Sequence, residues 1–114
     1  MIVAFSVAPS GTPTDAPAGT GDSASVHTAV AAAVKIVRES GLPNHTGSMF
    51  TEIEGEWDEV MDVVKRATEA VGRYGSRVSL VLKADIRPGH TGEISGKVQR
   101  LEGALGALGD QPTA

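Results

Sequence analysis

Two carboxylates, Glu52 and Glu54, stand two residues apart in the stretch MFTEIEGEWDEVM at residues 49–61. On an extended chain that spacing puts both on one side, with side chains about 7 Å apart. Such a pair could serve acid–base work, but no nucleophile or histidine adjoins it in sequence to complete a site. Glu54 also suits a plainer role, a solvated strand end leading into the acidic start of a helix with Glu56. Hydroxyls are the second resource. Ser6, Thr51 and Ser79 interrupt otherwise apolar strand-like runs. A buried hydroxyl needs a partner, which is either a neighbouring backbone group or a ligand.

Other chemistries have weaker support. The 114 residues include no cysteine, so thiol catalysis, disulfides and thiolate metal sites are excluded. His27, His45 and His90 are isolated and lack the i, i+4 spacing of a zinc pair. The GTGDS segment at residues 19–23 has neither the lysine of a phosphate loop nor a dinucleotide fingerprint. A net charge of −4 and few aromatic residues (Phe5, Phe50, Trp57, Tyr74) argue against nucleic acid. No run approaches the ~18 apolar residues of a membrane span. The apolar N-terminus lacks a basic leader, so no signal peptide is expected and the cytoplasm is the expected compartment.

The elements that must position these residues follow from periodicity. Residues 2–8 read as a strand with apolar residues on both faces. Residues 9–22, rich in Pro, Gly, Thr and Ala, read as a flexible loop, either a plain connection or a lid over a ligand. Residues 23–40 read as a helix, with Val26, Val30, Ala33, Val34 and Val37 as its stripe, Asp22 or Ser23 as cap, and Gly41 as stop. Residues 44–54 read as a second extended region, with room for a separate strand over 42–47 before a tight turn at Gly47-Ser48. In it Met49, Thr51 and Ile53 share one face, and Phe50, Glu52 and Glu54 the other. Residues 56–74 read as a helix with a stripe of Trp57, Val60, Met61, Val64, Ala67 and Val71. A strand over 77–86 places Val78, Leu80 and Leu82 on one face. A third helix is expected over 93–105, with Ile94, Val98, Leu101 and Leu105 on one side, followed by a frayed tail from 106 to 114.

This order predicts an α+β fold, a ferredoxin-like split βαβ sandwich with an extra C-terminal helix, as a single domain over residues 1–105. Two helices cover one sheet face. With Phe5, Val7 and Val81 as candidate apolar residues for the other, that face is expected to pack against another subunit, as a dimer or tetramer.

FSVAPSG at the start, ESGL after the first helix, M-x-T-x-IEGEWDEVM and SGKV together resemble the thiamine-binding protein family over residues 2 to about 105. The resemblance implies a ferredoxin-like subunit that assembles through its sheets and binds thiamine or its hydroxymethylpyrimidine moiety without catalysis. It places a ligand site at Ser6, Val7 and Thr51. Phe50, where relatives have a small residue, would stack on the pyrimidine or fill its slot, and Glu52 would attract the cationic thiazolium. Ser48 stands where relatives have proline, and the 11–21 loop is longer than theirs.

The expected function is therefore a non-enzymatic carrier or sensor of thiamine or a related pyrimidine, with no metal or resident cofactor. Two alternatives stay open. One is an oligomeric regulatory or interaction protein without a physiological small-molecule ligand; the other is an enzyme using Glu52 or Glu54 as a base.

Overall fold

The computed structural model describes residues 1–12 and 22–109, with side chains of the first helix from residue 26 onward. The expectations of a mobile 9–22 loop, a cap at Asp22 or Ser23 and a frayed end fall largely on residues 13–21, the side chains of 22–25, and 110–114, all outside the described residues. The elements run β1 (Ile2–Ser10), α1 (Asp22–Glu39), β2 (Asn44–Thr46), β3 (Thr51–Glu54), α2 (Trp57–Val71), β4 (Arg77–Asp85) and α3 (Glu93–Leu108), with a 3-10 turn over Gly72–Tyr74. α3 thus continues three residues beyond the 105 expected from its stripe.

The sheet has the order β2-β3-β1-β4, and every neighbouring pair is antiparallel. Each βαβ unit is split by a strand of the other, which is the ferredoxin-like arrangement. The sheet's register decides what faces where. Val3 pairs with Ile53 and Ala84, and Phe5 with Thr51 and Leu82; Val7 pairs with Leu80. All of these lie on the side covered by α1 and α2. Val3, Phe5 and Val7 are buried there with Ile53 of β3 and Val60, Val64, Ala67 and Val71 of α2.

This corrects the expected composition of the uncovered face. Phe5 and Val7 belong to the core, because they share rows with Leu82 and Leu80. The uncovered face carries Ile2, Ala4, Ser6 and Ala8 of β1, Glu52 and Glu54 of β3, and Ser79, Val81, Lys83 and Asp85 of β4. Val81 is there as expected, 55% exposed. The face is smaller in side-chain volume and more charged than a purely apolar interface would be.

The helices also shift their stripes. In α1 the buried residues are Ala29, Ala33 and Val37, while Val26 and Val30 stay exposed. Small alanines let the helix lie close to the sheet, and the valines are displaced to its flank. In α2, Val63 joins the core and Trp57 is 55% exposed at the first turn. The start of α2 is capped locally, the Glu59 carboxylate accepting the Glu56 N–H at 3.3 Å.

Gly75 fits where the chain leaves the 3-10 turn, because a Cβ there would lie 2.5 Å from the Ser10 carbonyl oxygen. Among the described residues no helix is long and apolar enough to cross a membrane.

Candidate functional site

β1 is longer than β3. Its ladder with β3 stops at the Phe5–Thr51 pair, whereas its ladder with β4 runs on to Ser10–Arg77. From Ser6 onward the β3-facing edge of β1 is therefore without a strand partner. Alternate residues there direct N–H and C=O groups to an open edge. The β2–β3 hairpin turns back at this level, closed by the Gly47 N–H donating to the Phe50 carbonyl at 2.9 Å.

The gap left by the short strand is a crevice of about 210 Å³. Val30 and Val34 of α1 form one wall, and Phe5 and Val7 of β1 another. Phe50 and Thr51 close it from the hairpin side. The displaced valines of α1 thus have a position to serve, which the helical stripe alone did not reveal: a valine half-exposed beside a cavity has the same local sequence signature as one in the core.

Of the residues expected at a ligand site, Ser6, Val7, Phe50 and Thr51 all border this crevice. Thr51 faces into the helix-covered side, paired with Phe5. Ser6 alternates to the uncovered side, paired with Val81, and so reaches the crevice at the strand edge. Ser79 does not border it and stands on the uncovered face beside Ala8. Glu52 is also apart. Next to Thr51 in sequence, it points to the opposite face of the sheet and lines a second, larger crevice of about 590 Å³. None of the described residues lining the first crevice is ionisable. Its chemistry is that of an apolar slot with hydroxyl and backbone hydrogen-bonding groups at one edge.

The second crevice lies between the uncovered sheet face and the base of α3, with Ile2 and Ala4 on its floor and Ile94 and Val98 on its wall. α3 is anchored there by Glu54, whose Oε2 accepts the Glu93 N–H at 2.9 Å and whose Oε1 accepts the Ile94 N–H at 3.3 Å. Glu54 is buried. It caps α3, whose own N-cap, Gly92, lies 38 residues further along the chain and has no side chain to offer, rather than the nearby start of α2. Two ion pairs hold the same turn. Arg100 donates to Glu93 at 2.6 Å, and Lys97 to Asp85.

The Arg100 guanidinium holds the Glu93 carboxyl below its usual range, and the hydrogen bond from Lys97 does the same for Asp85. Both carboxyls are stabilised in the charged form by the fold. That contribution is complete above the ordinary carboxylate value of about pH 4 and is lost as the pH falls through the lowered folded-state values. Acid should therefore loosen α3 before the sheet. Amide exchange between pH 5 and pH 3 is expected to accelerate first in α3, and Arg100→Gln should reduce that pH dependence. Uniform acceleration across the sheet and α3 would contradict the assignment.

Known proteins share this architecture and sequence. The UPF0045 protein Mb1933 of Mycobacterium bovis is 48% identical over 103 residues, which cover 90% of this chain and 91% of the relative. A Bacillus cereus structure, described as a domain of unknown function, DUF77, superposes with a TM-score of 0.70 at 34% identity, covering 87% of this chain and 86% of that one. A Thermotoga maritima structure assigned provisionally to thiamine biosynthesis or salvage gives 0.67 at 25% identity, over 88% and 96% of the two chains. The sequence pattern described as thiamine-binding protein matches residues 3–102. The chain belongs to the thiamine-binding protein family.

Proposed function

We propose that this protein is a non-enzymatic, cytoplasmic carrier or sensor of thiamine or its hydroxymethylpyrimidine moiety, working as a homo-oligomer, either dimer or tetramer. The observation that carries the reading is the crevice at the open edge of β1, where Ser6, Val7, Phe50 and Thr51 converge. An aminopyrimidine is flat, with ring-nitrogen acceptors and an exocyclic amine donor. The apolar walls suit the ring, and the Thr51 hydroxyl with the free strand edge suits its polar rim.

Size and charge favour the pyrimidine end. About 210 Å³ is below the ~300–1,000 Å³ of sites for drug-sized ligands. A cationic thiazolium would find no counter-charge on these walls, because Glu52 stands on the other face. In this reading the pyrimidine enters the slot and any thiazolium stays at the solvent-facing mouth, so Glu52 has no contact with it.

Calorimetric titration with the hydroxymethylpyrimidine and with thiamine tests this directly. Ligand at 100 times its dissociation constant should stabilise the fold by about 2.7 kcal/mol. Thr51→Val keeps the volume and removes one hydrogen bond, so affinity should fall about three- to tenfold. Absence of heat and of thermal shift at millimolar ligand would overturn the reading.

A second reading, an interaction protein without a physiological small-molecule ligand, is supported by the exposed apolar stripe of α3. It requires a stable macromolecular partner and a crevice indifferent to both pyrimidines.

A further inference from the structure

The second crevice has no part in pyrimidine binding, yet it is larger than the first and holds free charge. Its floor is the uncovered sheet face at Ile2 and Ala4, and α3 stands over that floor through Ile94, Lys97 and Val98. The chain's own helix thus encloses it on one side. Its volume of about 590 Å³ lies within the ~300–1,000 Å³ of small-molecule sites.

The sheet register sets where the charges stand. Glu52 of β3 and Lys83 of β4 both pair with Ala4 of β1, and both line the crevice. Their Cα atoms are therefore two strand spacings apart, about 10 Å. Glu52 is half-buried and Lys83 is exposed. Among the described residues neither the carboxylate nor the ammonium makes a hydrogen bond or salt bridge. The other charges of this crevice are already spent, Asp85 on Lys97 and Glu93 on Arg100. His45, next outward from Glu52 on β2, does not line it. What remains is one negative and one positive group on opposite sides of an alanine.

This pattern selects an occupant. A partly buried carboxylate without a partner has lost hydration and gained nothing in exchange. A bound cation would supply the missing partner, and an anion on the same molecule would satisfy Lys83. A ligand with one charge leaves the other group unmet. Ala4 offers only a methyl between the two, so a small polar head can sit low against the sheet. Beside it, Ile2, Ile94 and Val98 form an apolar flank for a hydrophobic body. A free α-amino acid has this form, with ammonium and carboxylate on one carbon and a side chain projecting from it. The flexible lysine stem can follow the carboxylate.

We propose that the second crevice binds a free α-amino acid with an apolar side chain. Glu52 accepts from its ammonium, Lys83 donates to its carboxylate, and Ile2, Ile94 and Val98 pack on its side chain. The site is separate from the pyrimidine crevice, because β3 sends Thr51 to one and Glu52 to the other.

Calorimetry with L-phenylalanine and L-leucine tests it. Glycine lacks the side chain, phenethylamine the carboxylate and 3-phenylpropanoate the amino group. Each should bind about tenfold more weakly than L-phenylalanine, or worse, because each leaves one part of the crevice unmatched. Glu52→Gln and Lys83→Met should each weaken L-phenylalanine binding by a similar factor. Thermal unfolding of both variants close to wild type would show that they are folded. Amide chemical shifts on adding L-phenylalanine should move at Ala4, Glu52, Lys83 and the first turns of α3, and stay fixed at Val30 and Val34.

Absence of heat with both amino acids at millimolar concentration overturns the proposal, whatever the pyrimidines do. Phenethylamine or 3-phenylpropanoate binding as well as L-phenylalanine overturns the zwitterion. Binding that survives both substitutions, or shifts confined to Val30 and Val34, overturns the site. None of these outcomes bears on pyrimidine binding, which its own titration decides.

Discussion

Truncating Ile53 to alanine should lower stability by about 2–5 kcal/mol, the range for a fully buried large aliphatic side chain. Ile53 is 0% exposed, paired with Val3 on one side and Asn44 on the other. β3 has only four residues and sends just two side chains, Thr51 and Ile53, to the helix-covered face. Removing one leaves a cavity that so short a strand can close only by shifting. A small domain has about 5–15 kcal/mol in total, so the loss would be a large fraction of it. Denaturant unfolding should show a lower midpoint with an unchanged slope. Met49→Ala, four residues earlier but 76% exposed on the hairpin turn, should change the midpoint little. Equal effects of the two substitutions would contradict the core assignment. Because β3 carries both Thr51 at the crevice and Glu54 beneath α3, the Ile53 variant should also weaken ligand binding and loosen α3.

Replacing Glu54 by alanine should cost about 1.5–3 kcal/mol and release α3 selectively. The carboxylate accepts two backbone N–H groups, and bonds to charged groups lie in that range. No local residue can replace it. Gly92, at the N-cap, has φ 66, a left-handed backbone that side chains rarely adopt. Glu54→Gln retains the shape but only one acceptor oxygen and no charge, so it should fall between wild type and alanine. Amide exchange provides the measurement. Protection across α3 should drop while protection in β1 and α2 is retained, and pyrimidine binding in the first crevice should persist. If α3 protection survives the substitution, its anchoring lies elsewhere.

These two residues also mark the boundary between what local sequence reveals and what it does not. Ile53 was legible, because period-2 alternation between Glu52 and Glu54 gives an inward residue wherever the strand lies. Glu54 was legible as a residue at a helix start but not for the correct helix. The acidic first turn of α2 lies beside it in sequence, yet its two hydrogen bonds go to residues 39 and 40 positions away. Nothing in the local pattern encodes that distance. The candidate crevice shows the same division. Ser6, Val7, Phe50 and Thr51 were named from strand positions and from the family resemblance. Val30 and Val34 read as part of the apolar stripe of α1, because a helix stripe does not show which of its residues faces a gap. Glu52 is named for the charge it would offer a cationic thiazolium; the strand alternation sends it to the face opposite Thr51, where it lines the second crevice.

By itself, then, the sequence determined the kind and order of the elements, the split βαβ plan and the family, because these depend on periodicity, glycine and proline punctuation, and motifs only a few residues long. Tertiary structure decided which face of β1 meets the helices. That strand is apolar on both sides, and only its pairing of Phe5 with Leu82 and Val7 with Leu80 breaks the tie. It also decided that the candidate crevice opens where β3 ends before β1 does, and that Glu54 holds α3. Each of these is a contact between segments distant along the chain, and strand register, which sets such contacts, is a property of pairs of strands and not of either one.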